Sequence, residues 1–93
     1  MPQIKLTSKA LDDLVGLQNL YRKKTPTAYL LAKNALAFGL QQLSQYPRIG
    51  RIHPEFPEYR EMIVPFDPVE FVFLYTISSE GCLVLTVTLQ SED

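Results

Sequence analysis

The pattern of apolar and polar positions divides the chain into a helical first half and a strand-rich last third. Residues 3–7 alternate between polar and apolar side chains, which predicts a short first strand. Residues 11–21 carry apolar side chains at intervals of three and four, which predicts an amphipathic helix. Thr7 or Ser8 is expected to cap this helix, and the basic run at residues 22–24 is expected to close it, since cations stabilise the negative helix end.

A second helix is predicted directly after this basic run. Thr25 provides a capping hydroxyl, and Pro26 fits the first helical position, where its missing N–H removes no hydrogen bond. The helix is expected to end near Gln45 or Tyr46, because the residue before Pro47 is disfavoured in the helical conformation. The short connection between the two helices predicts an antiparallel hairpin.

Small residues recur along one side of this second helix. They are three or four positions apart, at Ala28, Ala32, Ala35 and Gly39. Their spacing predicts a groove into which another helix packs closely, rather than a surface for a cofactor.

Three further strands are predicted, at residues 59–66, 70–77 and 83–89. The middle strand is almost continuously apolar and rich in aromatic and β-branched residues, as expected of a central strand. In the last strand, alternation predicts one face formed by Leu83, Leu85, Val87 and Leu89. The order β-α-α-β-β-β predicts an α+β fold in which a helical hairpin packs on a small, mainly antiparallel sheet.

Composition is typical of one globular domain, and residues 1–93 are interpreted as such. Of the 93 residues, 46% are hydrophobic, a content that excludes a disordered chain. No apolar run approaches the roughly 20 residues of a membrane span, and the N-terminus lacks the apolar region of a signal peptide. The single cysteine, Cys82, excludes an internal disulfide. We therefore expect a cytoplasmic protein that does not associate with membranes.

The charges are distributed unevenly along the chain. All nine Lys and Arg residues lie in residues 1–60 together with four acids, which gives this part a net charge of +5. Residues 61–93 contain six acids and no Lys or Arg, which gives −6. This asymmetry predicts an electric field with one face that attracts an anion. The alternative is that the charges only keep the surface soluble.

Residues 46–66, called the proline segment below, combine a constrained backbone with polar side chains suited to chemistry. The segment holds four of the seven prolines, the only histidine, His53, and the last three basic residues, Arg48, Arg51 and Arg60. A proline-pinned loop that presents Arg and His beside a sheet is suited to anion recognition or catalysis. Because no metal-ligand spacing, phosphate-binding glycine loop or nucleophilic triad is present in the sequence, we expect no metal and no cofactor.

The two later arginines also have structural interpretations. Arg51 is expected to form an ion pair with Glu55. Arg60 begins a predicted strand and is expected to form a salt bridge with Glu70 or Asp67. Exposed pairs of this kind are common and contribute little to stability.

The same holds for three other side chains. His53 has no catalytic partner at motif spacing, so a structural role is favoured. Tyr75 is expected to be an aromatic residue of the core or its rim. Cys82 is expected to be a small buried residue at the start of the last strand.

Three motifs follow one another in the chain: Pro47-Arg-Ile-Gly-Arg51, Tyr59-Arg-Glu-Met62 and Phe71-Val-Phe-Leu-Tyr75. With the order of elements, they resemble the RelE/ParE toxin superfamily over nearly the whole chain. Residues 49–66 look most similar to the ParE-type branch of plasmid stabilisation proteins. The resemblance implies a growth-inhibiting toxin of a type II toxin–antitoxin system, neutralised by a cognate antitoxin. It also implies contact with operator DNA only through that antitoxin.

The chain departs from the superfamily pattern in its last third. Relatives often continue the aromatic strand with Tyr-Arg, whereas Thr76 follows Tyr75 here. Relatives commonly end the last strand with His and Arg, whereas residues 88–92 read Thr-Leu-Gln-Ser-Glu. RNA cleavage needs a base, an acid and cations around the phosphate. The candidates that remain for catalysis are Arg51, His53, Arg60 and Tyr75. An enzyme is therefore not the favoured interpretation.

Three functions are compatible with these observations. The favoured one is a ParE-like toxin that acts by binding a target such as DNA gyrase. One alternative is a RelE-like, ribosome-dependent mRNA endoribonuclease that would use Arg51, His53 and Arg60. The other is a toxin-fold protein that has lost its activity and serves as an antitoxin-binding module.

The surface expected to bind the target or the antitoxin has a basic part and an apolar part. The residues concerned are Arg48, Arg51, Arg60, Leu83, Leu85 and Val87. The last strand has no inward charge to guard its edge, so it is expected to accept an added strand or to form a homodimer. The alternative is that the first helix already covers this strand.

Overall fold

The computed structural model describes residues 3–91. The elements in chain order are β1 (Gln3–Leu6), α1 (Ser8–Arg22), α2 (Pro26–Gln45), β2 (Arg51–Ile52), β3 (Arg60–Phe66), β4 (Val69–Ser78) and β5 (Gly81–Ser91). The strands form one five-stranded sheet of order β1-β5-β4-β3-β2, against which both helices pack. The predicted α+β fold is confirmed, with β2 as an additional strand. Within the described range, no helix combines the length and apolar character that crossing a bilayer would need.

The sheet is antiparallel except at one edge. β3, β4 and β5 pair as successive antiparallel strands. β1 pairs in parallel with β5, from Gln3 beside Gly81 to Leu6 beside Val84. β2 has only two residues and pairs antiparallel with the start of β3. A strand this short carries no alternation, which is why the sequence does not predict it.

Both helices begin where the capping residues predict. Thr7 Oγ1 accepts a hydrogen bond from the amide of Ala10 at 3.0 Å. Thr25 Oγ1 accepts one from the amide of Ala28 at 2.9 Å. These hydroxyls satisfy backbone donors that the first turn of a helix leaves free. α2 ends at Gln45, as the sequence predicts.

β4 lies at the centre of the sheet and supplies the largest side chains of the core. Phe71, Phe73 and Tyr75 are fully buried. Leu36 and Leu43 of α2 belong to the same cluster. Each such side chain stabilises the fold by about 1.5–3 kcal/mol through burial. The position of Tyr75 is therefore set by the core, not by the loop that its hydroxyl reaches.

At Gly39, the small residues along α2 pack against the sheet and not against another helix. A Cβ atom at this position would lie 2.7 Å from two ring atoms of Phe73 and 3.1 Å from Cγ2 of Val64. The prediction of a groove for a helix is therefore wrong at Gly39. Glycine lets α2 approach the central strand more closely than any side chain would allow.

The buried residues of β5 do not all lie on one of the two faces that alternation predicts. Cys82 and Val84 are buried, and Val87, three positions after Val84, is buried as well. Leu83 and Leu85 are only half-buried and lie outside the core cluster. The prediction that the odd-numbered residues share one face is therefore wrong for the first half of the strand.

A β-bulge explains this change of face. Leu74 of β4 pairs with Thr86, but the next residue, Tyr75, pairs with Val84. Leu85 is thus an extra residue in β5, and it turns the strand so that the buried positions change from even to odd numbers. Simple alternation in the sequence does not predict such an insertion.

β5 is not an edge strand, contrary to the prediction. β1 covers its first part, and the start of α1 covers the next part. Thr7 Oγ1 donates a hydrogen bond to the carbonyl of Leu85 at 2.8 Å, and Asp13 accepts one from the amide of Val87 at 2.9 Å. The alternative prediction, coverage by the first helix, is confirmed for this part of the strand. Val87 is therefore not available for strand addition, whereas partner contact through Leu83 or Leu85 stays a prediction.

Among the described residues, Asp13 is the one carboxylate that accepts a hydrogen bond from a backbone amide of β5. This hydrogen bond holds α1 to that strand. Its side chain is 14% exposed and pairs with Lys9. Burial alone would raise the pKa of Asp13. The hydrogen bonds from Lys9 and Val87 and the charge of Lys9 outweigh burial, so that the pKa is lowered from its ordinary value.

The close approach at Gly39 predicts opposite effects for two glycine substitutions. Gly39→Ala should lower the free energy of unfolding, because overpacking against Phe73 costs about 1–3 kcal/mol and exceeds the roughly 1 kcal/mol gained in helix propensity. Gly16→Ala in α1 is the control, since a Cβ there meets no atom within 4 Å, and it should stabilise slightly. Urea unfolding measures both. Equal effects for the two variants would contradict the packing seen at Gly39.

The lowered pKa of Asp13 predicts a loss of stability in acid. The folded-state pKa lies below the ordinary value of 3.8, so the stabilisation is present above that pH and is lost as the pH falls through the folded pKa. Asp13→Asn should lower the free energy of unfolding by about 1–2 kcal/mol at neutral pH. The difference from the parent should shrink as the pH falls through the folded-state pKa of Asp13. Asp12→Asn, at the exposed neighbouring position, is the control and should change neither value.

Candidate binding site at the proline segment

The hydroxyl of Tyr75 anchors the first turn of the proline segment to the sheet. It donates a hydrogen bond to the carbonyl of Pro47 at 2.7 Å and accepts one from the amide of Gly50 at 2.9 Å. A buried phenol requires such partners, and so do the two backbone groups. The interpretation of Tyr75 as a core aromatic is confirmed. Both hydrogen-bonding functions of its hydroxyl are used to hold the turn.

Gly50 is required by the same contact. A Cβ atom at Gly50 would lie 2.7 Å from the hydroxyl oxygen of Tyr75 and 2.8 Å from the carbonyl oxygen of Glu61. A side chain would therefore push the turn away from the sheet. This explains in physical terms the glycine of the Pro47–Arg51 motif.

Arg60 holds the turn from its other side. Its Nη1 donates to the carbonyl of Gly50 at 2.8 Å and to the carbonyl of Arg48 at 3.3 Å. The predicted salt bridge with Glu70 or Asp67 is wrong. Arg60 is the first residue of β3, whereas these two acids follow the end of that strand, and its guanidinium is directed to backbone oxygens instead.

Arg51 forms an ion pair, but with a partner other than the predicted one. Its Nη2 lies 3.2 Å from Oε1 of Glu61, and its Nε lies 3.3 Å from the same oxygen. The two residues are directly opposite in the β2–β3 pairing. The predicted partner, Glu55, is therefore wrong, because the short strand β2 brings a residue ten positions away into contact.

His53 has a structural role in the proline segment. Its Nδ1 accepts hydrogen bonds from the amides of Glu55 at 3.1 Å and Phe56 at 3.2 Å. The imidazole and the Phe56 ring are 5.4 Å apart between centroids. The histidine thus caps a turn that contains Pro54, because its Nδ1 satisfies backbone amides of that turn. The structural interpretation of His53 is confirmed.

Burial sets the protonation of the two titratable core side chains near this site. It raises the pKa of Tyr75, against the smaller, opposing effect of the hydrogen bond from the Gly50 amide. The phenol therefore keeps its proton at neutral pH, as its two hydrogen bonds require. Burial also raises the pKa of the Cys82 thiol. Cys82 is a buried core residue, as the sequence predicts.

Two adjoining cavities lie between the proline segment and the β4–β5 turn. The polar cavity has a volume of about 460 Å³ and is lined by Arg48, Pro57, Glu58, Arg60, Ile77, Ser78 and Ser79. The apolar cavity has a volume of about 650 Å³ and is lined by Tyr46, Pro47, Arg48, Ile49, Ile77, Ser78, Ser79, Glu80 and Gly81. Arg48 and the turn residues are common to both, so the two cavities form one continuous depression.

The structure brings together only part of the predicted site. Arg48 and Arg60 line the polar cavity, whereas Arg51 and His53 do not. Sequence reasoning missed Tyr46 and the two serines that share these cavities, because residues 78–81 are readable only as a turn. Among residues 3–91, no three His, Cys, Asp or Glu side chains are grouped to hold a metal ion.

The proline segment also exposes a high share of the apolar surface. Eleven large hydrophobic side chains are exposed among the described residues, and five of them belong to this segment: Tyr46, Ile49, Ile52, Phe56 and Ile63. Exposed aromatic and aliphatic residues mixed with arginine are typical of binding interfaces. The segment is therefore suited to contact with a macromolecule.

Comparison with known proteins defines the family. Residues 4–93 match the family model described as "ParE toxin of type II toxin-antitoxin system, parDE". Since this match spans almost the whole chain, the protein belongs to the ParE toxin family of type II toxin–antitoxin systems. The resemblance drawn from the three sequence motifs is thereby confirmed.

Structural comparison supports the fold assignment. The structure is similar to a chain of the "Chromosomal ParDE TA system from P. aeruginosa", with a TM-score of 0.77 and 23% identity over 99% of this chain and 98% of that one. At this level of identity the likeness shows a shared fold. No curated protein sequence matches the chain.

The anchor at Tyr75 predicts a specific effect of removing one hydroxyl. Tyr75→Phe should lower the free energy of unfolding by about 1–3 kcal/mol, because it leaves the Pro47 carbonyl and the Gly50 amide without their partner. Hydrogen exchange at the Gly50 amide should become faster by more than the global loss of stability explains. Tyr59→Phe is the control, since the Tyr59 hydroxyl forms no hydrogen bond with any residue in the described range 3–91. Equal unfolding energies for the two variants would show that the anchor contributes nothing.

Proposed function

We propose that this protein is the toxin component of its toxin–antitoxin module, that it inhibits growth in the cytoplasm by binding DNA gyrase, and that a cognate antitoxin neutralises it. Membership of the ParE family supports the toxin role, since the family is defined by the parDE type II system. The similar P. aeruginosa structure is a ParDE system. Both support an antitoxin as the partner of this chain.

The observation that carries the proposal is the engagement of the polar side chains in the proline segment. Tyr75 uses its hydroxyl to hold the turn, and His53 uses Nδ1 to cap another turn. Arg51 is paired with Glu61. A ribonuclease needs a free base, a proton donor and cations around one phosphate. These contacts favour a protein that binds its target over one that cleaves RNA.

The exposed surface supports the same conclusion. Ile49, Ile52 and Phe56 are about half exposed on the proline segment, beside Arg48 and Arg51. Aromatic and arginine side chains are enriched among the energetically dominant contacts of protein interfaces, and surrounding apolar side chains exclude water from them. The surface therefore matches the needs of protein recognition without requiring a reactive centre.

A supercoiling assay tests the gyrase proposal directly. The purified protein at micromolar concentration should inhibit supercoiling by gyrase and should increase the amount of cleaved DNA held on the enzyme. Arg51→Ala should weaken this inhibition about tenfold, as expected of a moderate interface contact. Lys33→Ala, an exposed substitution on α2 far along the chain from the segment, is the control and should inhibit like the parent. Unaffected supercoiling at micromolar protein would overturn the proposal.

Induced expression in cells separates the toxin from the alternatives. Viability should fall on induction and recover when the cognate antitoxin is expressed from a second promoter. Ribosome-bound mRNA should stay intact throughout. Codon-linked mRNA cleavage would identify a ribonuclease instead, and harmless over-expression without antitoxin would identify a chain that has lost its activity.

A further inference from the structure

The polar cavity contains arginine charge that no carboxylate neutralises through a salt bridge. Among residues 3–91, ion pairs engage Lys5, Lys9 and Arg51. Arg60 donates through Nη1 alone, to two carbonyl oxygens, which leaves the N–H groups on Nε and Nη2. The side chain of Arg48 forms no hydrogen bond with any residue in the same range. The site therefore retains several charged donors that face a common cavity.

The net charge of the two cavities also depends on the acidic side chains that line them. Glu58 also lines the polar cavity, so that two arginines face one carboxylate there. Glu80 of the apolar cavity is already paired with Lys5 at 2.9 Å. Because both Ser78 and Ser79 line the polar cavity as well, hydroxyl donors supplement the guanidinium groups. The planar arginine fork matches the geometry of phosphate oxygens and can bind them through two parallel hydrogen bonds.

The apolar cavity adds a surface for a flat ring. Tyr46 is 58% exposed and Ile49 is 49% exposed, and both line this cavity together with Pro47. The Tyr46 ring takes part in none of the aromatic pairs formed within the described residues. An exposed aromatic face beside a cationic groove is the combination that binds nucleotides in single-stranded nucleic acids.

We propose that the two adjoining cavities form a nucleotide-binding site. The phosphate lies between the guanidinium groups of Arg48 and Arg60 in the polar cavity, and the base packs on Tyr46 and Ile49 in the apolar cavity. Arg48 lies at the boundary and contacts the phosphate at the point where it joins the sugar. The nucleotide comes either from the free pool or from one residue of a single strand. This site goes beyond the binding of gyrase and does not depend on it.

Titration of the full chain, followed by the backbone amide resonances, tests the site without gyrase. The probes are GMP, inorganic phosphate, guanosine and the oligonucleotide dT6. GMP should shift the amides of the proline segment and of residues 77–81, and should bind at least about tenfold more tightly than phosphate or guanosine alone, since each of these fills one cavity only. Tighter binding of dT6 than of GMP identifies a single strand as the source, and the reverse order identifies the free nucleotide.

Surface variants keep the test independent of folding. Arg48→Ala should weaken GMP and phosphate binding by about tenfold or more, whereas Tyr46→Ala should weaken GMP binding but leave phosphate binding unchanged. Lys33→Ala is the charge-matched control and should bind like the parent. Arg60 is not substituted, because it holds the turn through two carbonyls. Unchanged affinity of Arg48→Ala, shifts confined to other surfaces, or equal affinity for GMP and phosphate would each overturn the proposal.

Discussion

The hydrogen bonds of the Tyr75 hydroxyl connect the hydrophobic core to the proline segment. The phenol ring belongs to the central strand and is fixed by burial, while its oxygen holds Pro47 and Gly50. Arg60 then closes the same turn from outside. The position of Arg48, the exposed Ile49 and both cavities all follow from this anchor. Rigid support of a loop by a buried group reduces the entropy lost when the loop binds a partner.

Local signals in the sequence predicted the helices and most of the sheet. Thr7, Thr25 and the position of Pro47 fix the helix ends through contacts within a few residues, so the chain itself contains the information. The bulge at Leu85 was not predictable, because it appears only when β5 is paired with β4. The edge position expected of β5 failed for the same reason. Strand order depends on contacts across the whole chain, which alternation does not encode.

The site was predicted less completely than the fold, because the partners of its arginines are either distant in the sequence or are backbone atoms. Proximity in the sequence suggested Glu55 as the ion-pair partner of Arg51. For Arg60 it suggested the acids that follow β3. The structure pairs Arg51 across a two-residue strand with Glu61, and it directs Arg60 to backbone carbonyls, which carry no signal in the sequence. In the proline segment, Arg51 and Arg60 are thus engaged in contacts that hold the segment. Arg48 is the arginine of the proline segment whose side chain forms no hydrogen bond or ion pair among the described residues, and Arg60 keeps the donors on Nε and Nη2.

The parallel pairing of β1 with β5 has a consequence for the synthesis of the chain. Gln3 lies beside Gly81, so one edge of the sheet joins segments separated by nearly the full length of the chain. Loop closure over such a distance is slow compared with local folding. During translation, β1 and the apolar faces of α1 and α2 emerge from the ribosome long before the strands that cover them. The β1–β5 edge therefore forms only after β5 has been synthesised, which places its closure late in folding.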